Sequence, residues 1–391
     1  MSDLLIKEAS DEEWNEFLVL ARRSYGYAIE DADYLRNVAD RRVAIQSGTV
    51  VGGGLGMVVG QFFGGQEVPC ALLAAGCLAP ELRGKRLAVH ALGERLKSLY
   101  DAGAVAACAW TRSNEYGRAL GWEAPCSVYS WTVRADDLRR AFPRYDHDVT
   151  FGRSSDGDKL ISTVTRRWNG ALARPDWWPD WKTGRFALNT YEFRDGAGEV
   201  RGVLTVSGVS RTGRTELHVH DFFAEDAHVA SSMFEFLSRH NSRAEWVAFR
   251  RACLPPTPFL LHNLSRYRAE AEAHNPWMFR LLDVPAAIGR RGWPTFVKKD
   301  LVLEIEGLGN EPPTRYLVEF DHGEAMASVT RHPADFTLSW RQLSCWFAGG
   351  YRSAESAFLD GVSPDGARSR EAMEQFVALT NTQEVWLPDQ F

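Results

Sequence analysis

Apolar side chains recur along this chain in two rhythms, and the switch between them marks most of its elements. From Glu12 to Tyr25 the apolar positions Trp14, Phe17, Leu18 and Ala21 fall on one helical face. Val43-Ala44-Ile45 and the run from Val50 to Val59 read as strands, with a hairpin signal at Ser47-Gly48 between them. A third run, Ala71 to Leu78, is apolar almost throughout. A helical stripe of Ala88, Ala91, Leu92, Leu96 and Leu99 follows it, and Asp101-Ala102-Gly103 ends the stripe. With one more strand-like run from Val105 to Trp110, residues 1–145 form a mixed α/β unit.

The same order returns in residues 146–283. Phe186 to Phe193 and Val200 to Ser207 are strand candidates joined by Arg194-Asp195-Gly196-Ala197-Gly198. Glu216 to Phe223 follows, then a helix with Ala230, Met233, Phe234 and Leu237 on one side. Residues 284–391 alternate cleanly at Leu301, Leu303 and Ile305 and at Tyr316, Val318 and Phe320, as half-buried strands should. Helical stretches are predicted around Leu343 to Phe347 and Glu371 to Leu379.

At 391 residues the chain exceeds one typical core, which agrees with three units. The apolar share of 45% and the charged share of 25% are those of an ordinary globular protein. The acidic start, Met1 to Glu8, is no signal peptide, and no apolar run nears the roughly 20 residues that span a bilayer. A cytoplasmic protein without a membrane partner is expected. A net charge of −6 argues against a surface devoted to nucleic acid and suits a cationic small substrate better. Cys70, Cys77, Cys108, Cys126, Cys253 and Cys345 lack metal-binding or redox spacing, so buried free thiols are expected. Most of the 14 tryptophans are expected in the core.

Candidate chemistry concentrates between Leu72 and Trp122. The strand end Gly76-Cys77-Leu78 leads through Ala79-Pro80 into Arg83-Gly84-Lys85-Arg86-Leu87-Ala88, where a helical pattern begins. Turn amides and the positive end of a helix dipole pointing outward together suit a pyrophosphate, and a solvated basic turn is the plainer alternative. Further on, Asn114-Glu115-Tyr116-Gly117-Arg118 places a tyrosine on a glycine-rich turn, either a proton donor or a satisfied structural hydroxyl.

Val68-Pro69, Leu78-Ala79-Pro80 and Tyr116-Gly117-Arg118 before Leu120-Gly121-Trp122 resemble segments of the GNAT acyltransferases, and more narrowly of the Eis (enhanced intracellular survival) aminoglycoside acetyltransferase family. Trp277-Met278-Phe279-Arg280-Leu281-Leu282-Asp283-Val284-Pro285-Ala286-Ala287 is similar to the link that introduces that family's third domain. The resemblance implies an α+β fold of tandem GNAT-like domains, the second degenerate and unable to bind CoA, followed by a sterol-carrier-protein-like α/β domain. It implies acetyl-CoA or another acyl-CoA as co-substrate, no metal, a small-molecule amine acceptor and a homo-oligomer, a hexamer or a trimer. Gly76, Cys77, Leu78, Arg83, Gly84, Lys85, Arg86, Leu87 and Ala88 would hold the donor, with Thr111 and Arg112 toward its nucleotide end. Tyr116 would be the general acid, and the terminal carboxylate of Phe391 the base. Arg22, Arg23, Tyr25, Tyr27, Asp31 and Asp33 would wall the acceptor pocket.

One position departs from the family pattern: Arg86 stands where such cradles carry a glycine that lets backbone approach phosphate. The side chain either adds a phosphate contact or obstructs one. Two other readings therefore stay open, an acyl donor carried on aminoacyl-tRNA or a carrier protein, and a non-catalytic small-molecule or lipid-binding scaffold. His218-Val219-His220-Asp221 looks like a metal pair but has no third ligand to name. Gly361-Val362-Ser363-Pro364-Asp365 lacks the final glycine of a nucleophile elbow.

Overall fold

Ser10 opens the first helix with a capping box: its hydroxyl accepts from the Glu13 amide while the Glu13 carboxylate accepts from the Ser10 amide. That helix, α1 (Asp11–Tyr25), buries Trp14, Phe17, Leu20 and Ala21 against the first sheet and ends at Gly26 in a left-handed cap. The chain is seen here as a computed structural model, which describes residues 4–391 except 30–33, 85–86, 112–116, 143–145, 212–213, 250–262, 265–268, 275–276, 310, 365–369 and 390. Two units divide it, residues 1–125 with 276–382 and 391, and residues 126–275 with 383–390.

In the first unit, β1 (Leu4–Glu8), β2 (Asp40–Gln46), β3 (Thr49–Phe63), β4 (Gln66–Leu78) and β5 (Ala106–Trp110) form a sheet that β15 (Trp277–Leu281) completes, in the order β1-β2-β3-β4-β5-β15. Ser47 and Gly48 both take positive φ, as the tight turn between β2 and β3 requires. Neighbours are antiparallel except β4 and β5, whose parallel pairing needs the crossover helix α2 (Leu87–Asp101). Phe17 of α1 packs on β3 at Gly53, where a Cβ would lie 2.8 Å from its ring and 2.6 Å from the Arg42 carbonyl oxygen.

The second unit repeats this plan. Its strands are β6 (Val128–Arg134), β7 (Asp148–Phe151), β10 (Asn189–Arg194), β11 (Val200–Arg211), β12 (Arg214–Ala224), β13 (Trp246–Phe249) and β14 (Ala269–His274). Their order is β14-β6-β13-β12-β11-β10-β7, and only β12 and β13 run parallel. Helices α3 (Ala135–Ala141), α4 (Ser155–Thr165), α5 (Trp178–Phe186) and α6 (Ala227–Ser238) accompany the sheet, with α6 as its crossover, and Trp131 stacks on Phe249 in the core. Short strands β8 (Trp168–Asn169) and β9 (Leu172–Ala173) precede α5, and β8 pairs with β21 (Glu384–Val385) near the chain's end.

Two sequence expectations shift. A strand from Phe186 is corrected: α5 runs through Phe186, and the left-handed Ala187 ends it before β10 starts at Asn189. The boundaries expected at 145/146 and 283/284 meet an exchange of strands. Val128 to Arg134 pairs within the second sheet, and Trp277 to Leu281 pairs with β5 in the first.

The third domain belongs to the first unit. Asp283 caps α7 (Val284–Arg290), and β16 (Lys298–Ile305), β17 (Thr314–Asp321), β18 (Glu324–Val329), β19 (Phe336–Leu338) and β20 (Ser363–Pro364) form a sheet ordered β18-β17-β16-β19-β20. Helices α8 (Trp340–Ala348), α9 (Ala354–Leu359) and α10 (Arg370–Ala378) cover it, with Trp346 stacked on Phe376 at its centre. Trp14, Trp178, Trp277, Trp346 and Trp386 are fully buried, as expected of core residues. No helix among the described residues is long and apolar enough to cross a membrane.

Because a methyl at Gly53 has no room on either side, Gly53→Ala should lower the unfolding free energy by about 1–3 kcal/mol. A denaturant midpoint equal to the wild type's would show that α1 and β3 pack with slack.

Candidate active site at the β4 bulge

Strand β4 breaks its own regularity at the place the sequence singles out. Gly53 pairs with Cys77 and Leu55 with Ala74, so Gly54 alone opposes both Ala75 and Gly76. This is a two-against-one bulge, and it puts Ala75 at a left-handed φ of 52°. The parallel ladder to β5 runs only from Cys70↔Ala106 to Leu73↔Ala109. Beyond Leu73, β4 therefore leaves β5, and the stretch Gly76-Cys77-Leu78 lies past the end of that ladder. Gly76 is exposed, Cys77 half-buried and Leu78 buried.

Side chains from both neighbouring helices secure the bulge. Tyr25 of α1 donates its hydroxyl to the Gly76 carbonyl. Burial first, and then the nearby Cys77, push the Tyr25 phenol well above its usual range, so it remains a donor. From α2, Arg95 donates through Nη2 to the carbonyls of Leu55 (2.6 Å) and Ala74 (3.3 Å), the last cross-strand pair before the bulge. It is only 8% exposed. The Cys77 thiol is pushed up by burial against the opposing pull of Ser24, Arg95 and Arg83, and so stays protonated at neutral pH.

The basic turn follows directly. Pro80–Leu82 is a short 3₁₀ turn, Arg83 and Gly84 are exposed, and Gly84 has a φ of 80° with open space where a side chain would stand. Helix α2 begins at Leu87, and Leu87 and Ala88 are half-buried in its first turn. Lys85 and Arg86 lie outside the described residues. So do Arg112 and Tyr116, while Thr111 sits half-buried just past β5.

Immediately after Tyr116 the chain is tightly held. The Leu120 amide donates to the Gly117 carbonyl, and Gly121, at a φ of 82°, lies against the Trp340 side chain of α8. Arg118 and Arg341 both bond Glu123, at 3.1 and 2.7 Å, and Arg341 also reaches Asp360 at 2.6 Å. Third-domain side chains thus brace the segment that carries the candidate acid. Phe391 is half-buried, its ring edge-on to Trp110 with centroids 6.3 Å apart.

The second unit also carries one extra residue on its central strand, without a left-handed residue and with a different filling. Thr205 pairs with Asp221 and Val206 with Val219, so His220 is the extra residue on β12, and among the described residues the ladder to β13 runs to Val219↔Phe249. Here the buried Asp221 accepts from Arg174 at 2.6 Å and from Lys182 at 2.8 Å, and Arg174 also holds Asp389 of the C-terminal tail. Burial alone would raise the Asp221 carboxyl, but the two cations hold it well below the usual carboxylate range. The helix that follows is capped by its own Asp226, which accepts from the His228 and Val229 amides and so fills the place a phosphate would take. Of the histidine pair, His218 Nε2 lies 2.9 Å from Glu216 and His220 Nε2 2.8 Å from the Ser207 hydroxyl.

Sequence reasoning passed over Arg95, Arg341 and Arg174. For Arg95 a signal existed: an arginine between Ala91 and Leu99 interrupts the apolar stripe of α2. The other two find partners 218 and 215 residues away, which no local pattern reports.

Comparison with known proteins fits this architecture. An acetyltransferase (GNAT) domain family matches residues 170–281, and a sterol carrier protein domain family matches residues 284–388. No curated protein matches the chain in sequence. Solved structures do match in three dimensions. A GCN5-related N-acetyltransferase from Anabaena variabilis superposes with a TM-score of 0.86 at 18% identity over 100% of both chains. One from Kribbella flavida gives 0.80 at 21% identity, covering 100% of this chain and 99% of that one. Eis1 from Mycobacterium abscessus gives 0.77 at 16% identity over 100% of both. The chain therefore has the expected α+β architecture, a GNAT fold with a C-terminal sterol carrier protein domain. The GNAT family match falls on the second domain, whereas the basic glycine turn belongs to the first.

Burial, helped by Lys182, depresses His220 from 6.5 to about 4. Between those values the unfolded chain binds the proton and the folded chain does not, so stability should fall as pH drops from about 6.5 to 4. In urea unfolding across that range, His220→Gln should flatten the slope; a slope equal to the wild type's would assign it to another group.

Proposed function

We propose that the chain is an N-acyltransferase that moves an acyl group, acetyl in the simplest case, from CoA to an amine of a small molecule such as an aminoglycoside, a polyamine or an antibiotic intermediate, in the cytoplasm. The observation that carries this reading is the β4 bulge, which ends the β4–β5 ladder beside a basic turn and a helix N-terminus. A donor laid along β4 past Leu73 would meet the backbone of Gly76, Cys77 and Leu78 where the pantetheine needs hydrogen-bond partners. Arg83, Gly84, Lys85, Arg86 and the first amides of α2, at Leu87 and Ala88, are offered to the pyrophosphate. Thr111 and Arg112 are assigned to the nucleotide end.

In this mechanism the amine nitrogen attacks the thioester carbonyl carbon while a β4 amide stabilises the oxyanion, an interaction worth about 3 kcal/mol for one well-placed donor. The terminal carboxylate of Phe391 takes the amine's proton. An α-carboxyl group titrates near ~3.5 in water, and desolvation raises it toward the range useful for a base. The C–S bond then breaks, and the Tyr116 hydroxyl protonates the departing thiolate. The protonated Cys77 supports direct transfer in a ternary complex over a covalent acyl-cysteine intermediate.

Amine-dependent release of free CoA from acetyl-CoA tests the reading, with initial-rate patterns that intersect rather than run parallel. Turnover insensitive to salt would separate free acyl-CoA from a donor carried on tRNA or a protein. Tyr116→Phe should lower kcat by roughly a hundredfold or more with little change in the acceptor KM. An unchanged kcat removes Tyr116 from the mechanism. One residue added after Phe391 should abolish turnover and leave the melting temperature intact, whereas full activity would exclude the terminal carboxylate as base.

A further inference from the structure

We infer that Arg95 is a positioning residue for acyl transfer, holding the β4 bulge in the shape that turns the amides of Gly76 to Leu78 toward the donor. The inference rests on the acyltransferase reading above and adds to it a residue that no motif contains.

Three observations converge on it. First, the bulge is strained. A left-handed alanine costs about 1–2 kcal/mol relative to an ordinary backbone and persists only where the surroundings impose it. Secondly, the guanidinium stitches β3 to β4 at the step before the strain, through its bonds to the Leu55 and Ala74 carbonyls. Thirdly, the strands are shaped to admit it. A Cβ on Gly54 would lie 2.6 Å from the guanidinium carbon, and one on Gly76 would lie 2.9 Å from Nη1. Residues 54 and 76 are members of the bulge itself, so the space for the arginine and the irregularity of the strand arise together.

Charge makes the choice of residue specific. A guanidinium stays ionised even when buried, and bonds from a charged donor are roughly twice as strong as neutral ones. A side chain of similar length without N–H donors, such as methionine, would fill the space without joining the two carbonyls. Tyr25 completes the arrangement from α1 by donating to the carbonyl of Gly76.

The test compares wild type, Arg95→Lys and Arg95→Met for hydrogen exchange at residues 75–78, for acetyl-CoA affinity by calorimetry, and for kcat. In Arg95→Met, exchange at residues 75–78 should rise at least tenfold, kcat should fall at least thirtyfold and the acetyl-CoA Kd should rise at least threefold. Arg95→Lys should recover at least a tenth of the lost kcat. Should Arg95→Met fail to fold, Gly54→Ala, whose methyl displaces the guanidinium, should reproduce the exchange and kcat changes. Unchanged exchange at residues 75–78, an unchanged kcat, or a lysine variant as impaired as the methionine one would overturn the inference. The exchange arm needs no substrate. A wild type without transferase activity would therefore count against the proposed function, while the exchange result would still decide whether Arg95 holds the bulge.

Discussion

A left-handed alanine inside a β-strand is the constraint on which the first sheet depends. The two-against-one bulge of β4 holds Ala75 in that conformation, and its partner β3 is glycine-rich at Gly52, Gly53 and Gly54. Because β4 turns there, it leaves β5 after Leu73, and the divergence opens a strand edge in an otherwise continuous sheet. Parallel pairing in turn requires a crossover, and α2 supplies it while delivering Arg95 to the bulge and its own N-terminus to the basic turn. The bulge, the end of the β4–β5 ladder and the basic turn thus fall together on one stretch of chain.

The second domain also has an extra residue on its central strand, though not a left-handed one, in different surroundings. His220 occupies the extra position on β12, next to the last described pair of the ladder to β13. Where the first domain has exposed glycine and a basic turn, the second has the Arg174, Lys182 and Asp221 ion pairs, Asp389 and a helix capped by Asp226. A buried charge must be paired to be tolerated, and Asp226 already takes two of the free amides at its helix start.

Much of this was legible in the sequence wherever structure is local. The stripes at Trp14 and Phe17 and at Leu96 and Leu99 are the buried faces of α1 and α2, and the alternation at Leu301 and Leu303 is that of a half-buried strand. The strand expected from Phe186 starts only at Asn189 because Phe186 suits either a helix or a strand, and the left-handed Ala187 that decides between them carries no sequence mark. The exchange of Val128–Arg134 and Trp277–Leu281 between sheets was hidden for another reason: pairing partners more than a hundred residues apart leave no periodic trace. Within the site, glycines and basic residues announced the turn. Arg95 was visible only as an exception to a stripe, and its role needed the bulge to be seen.

The central claim is that the opened edge of β4 receives an acyl-CoA, and calorimetric titration of acetyl-CoA into the wild-type protein and into Arg86→Gly tests it most directly. The account predicts saturable binding to the wild type at one site per chain, with at most a modest change in the glycine variant. No binding to the wild type, with binding appearing in Arg86→Gly, would contradict it and show that this cradle is closed to CoA.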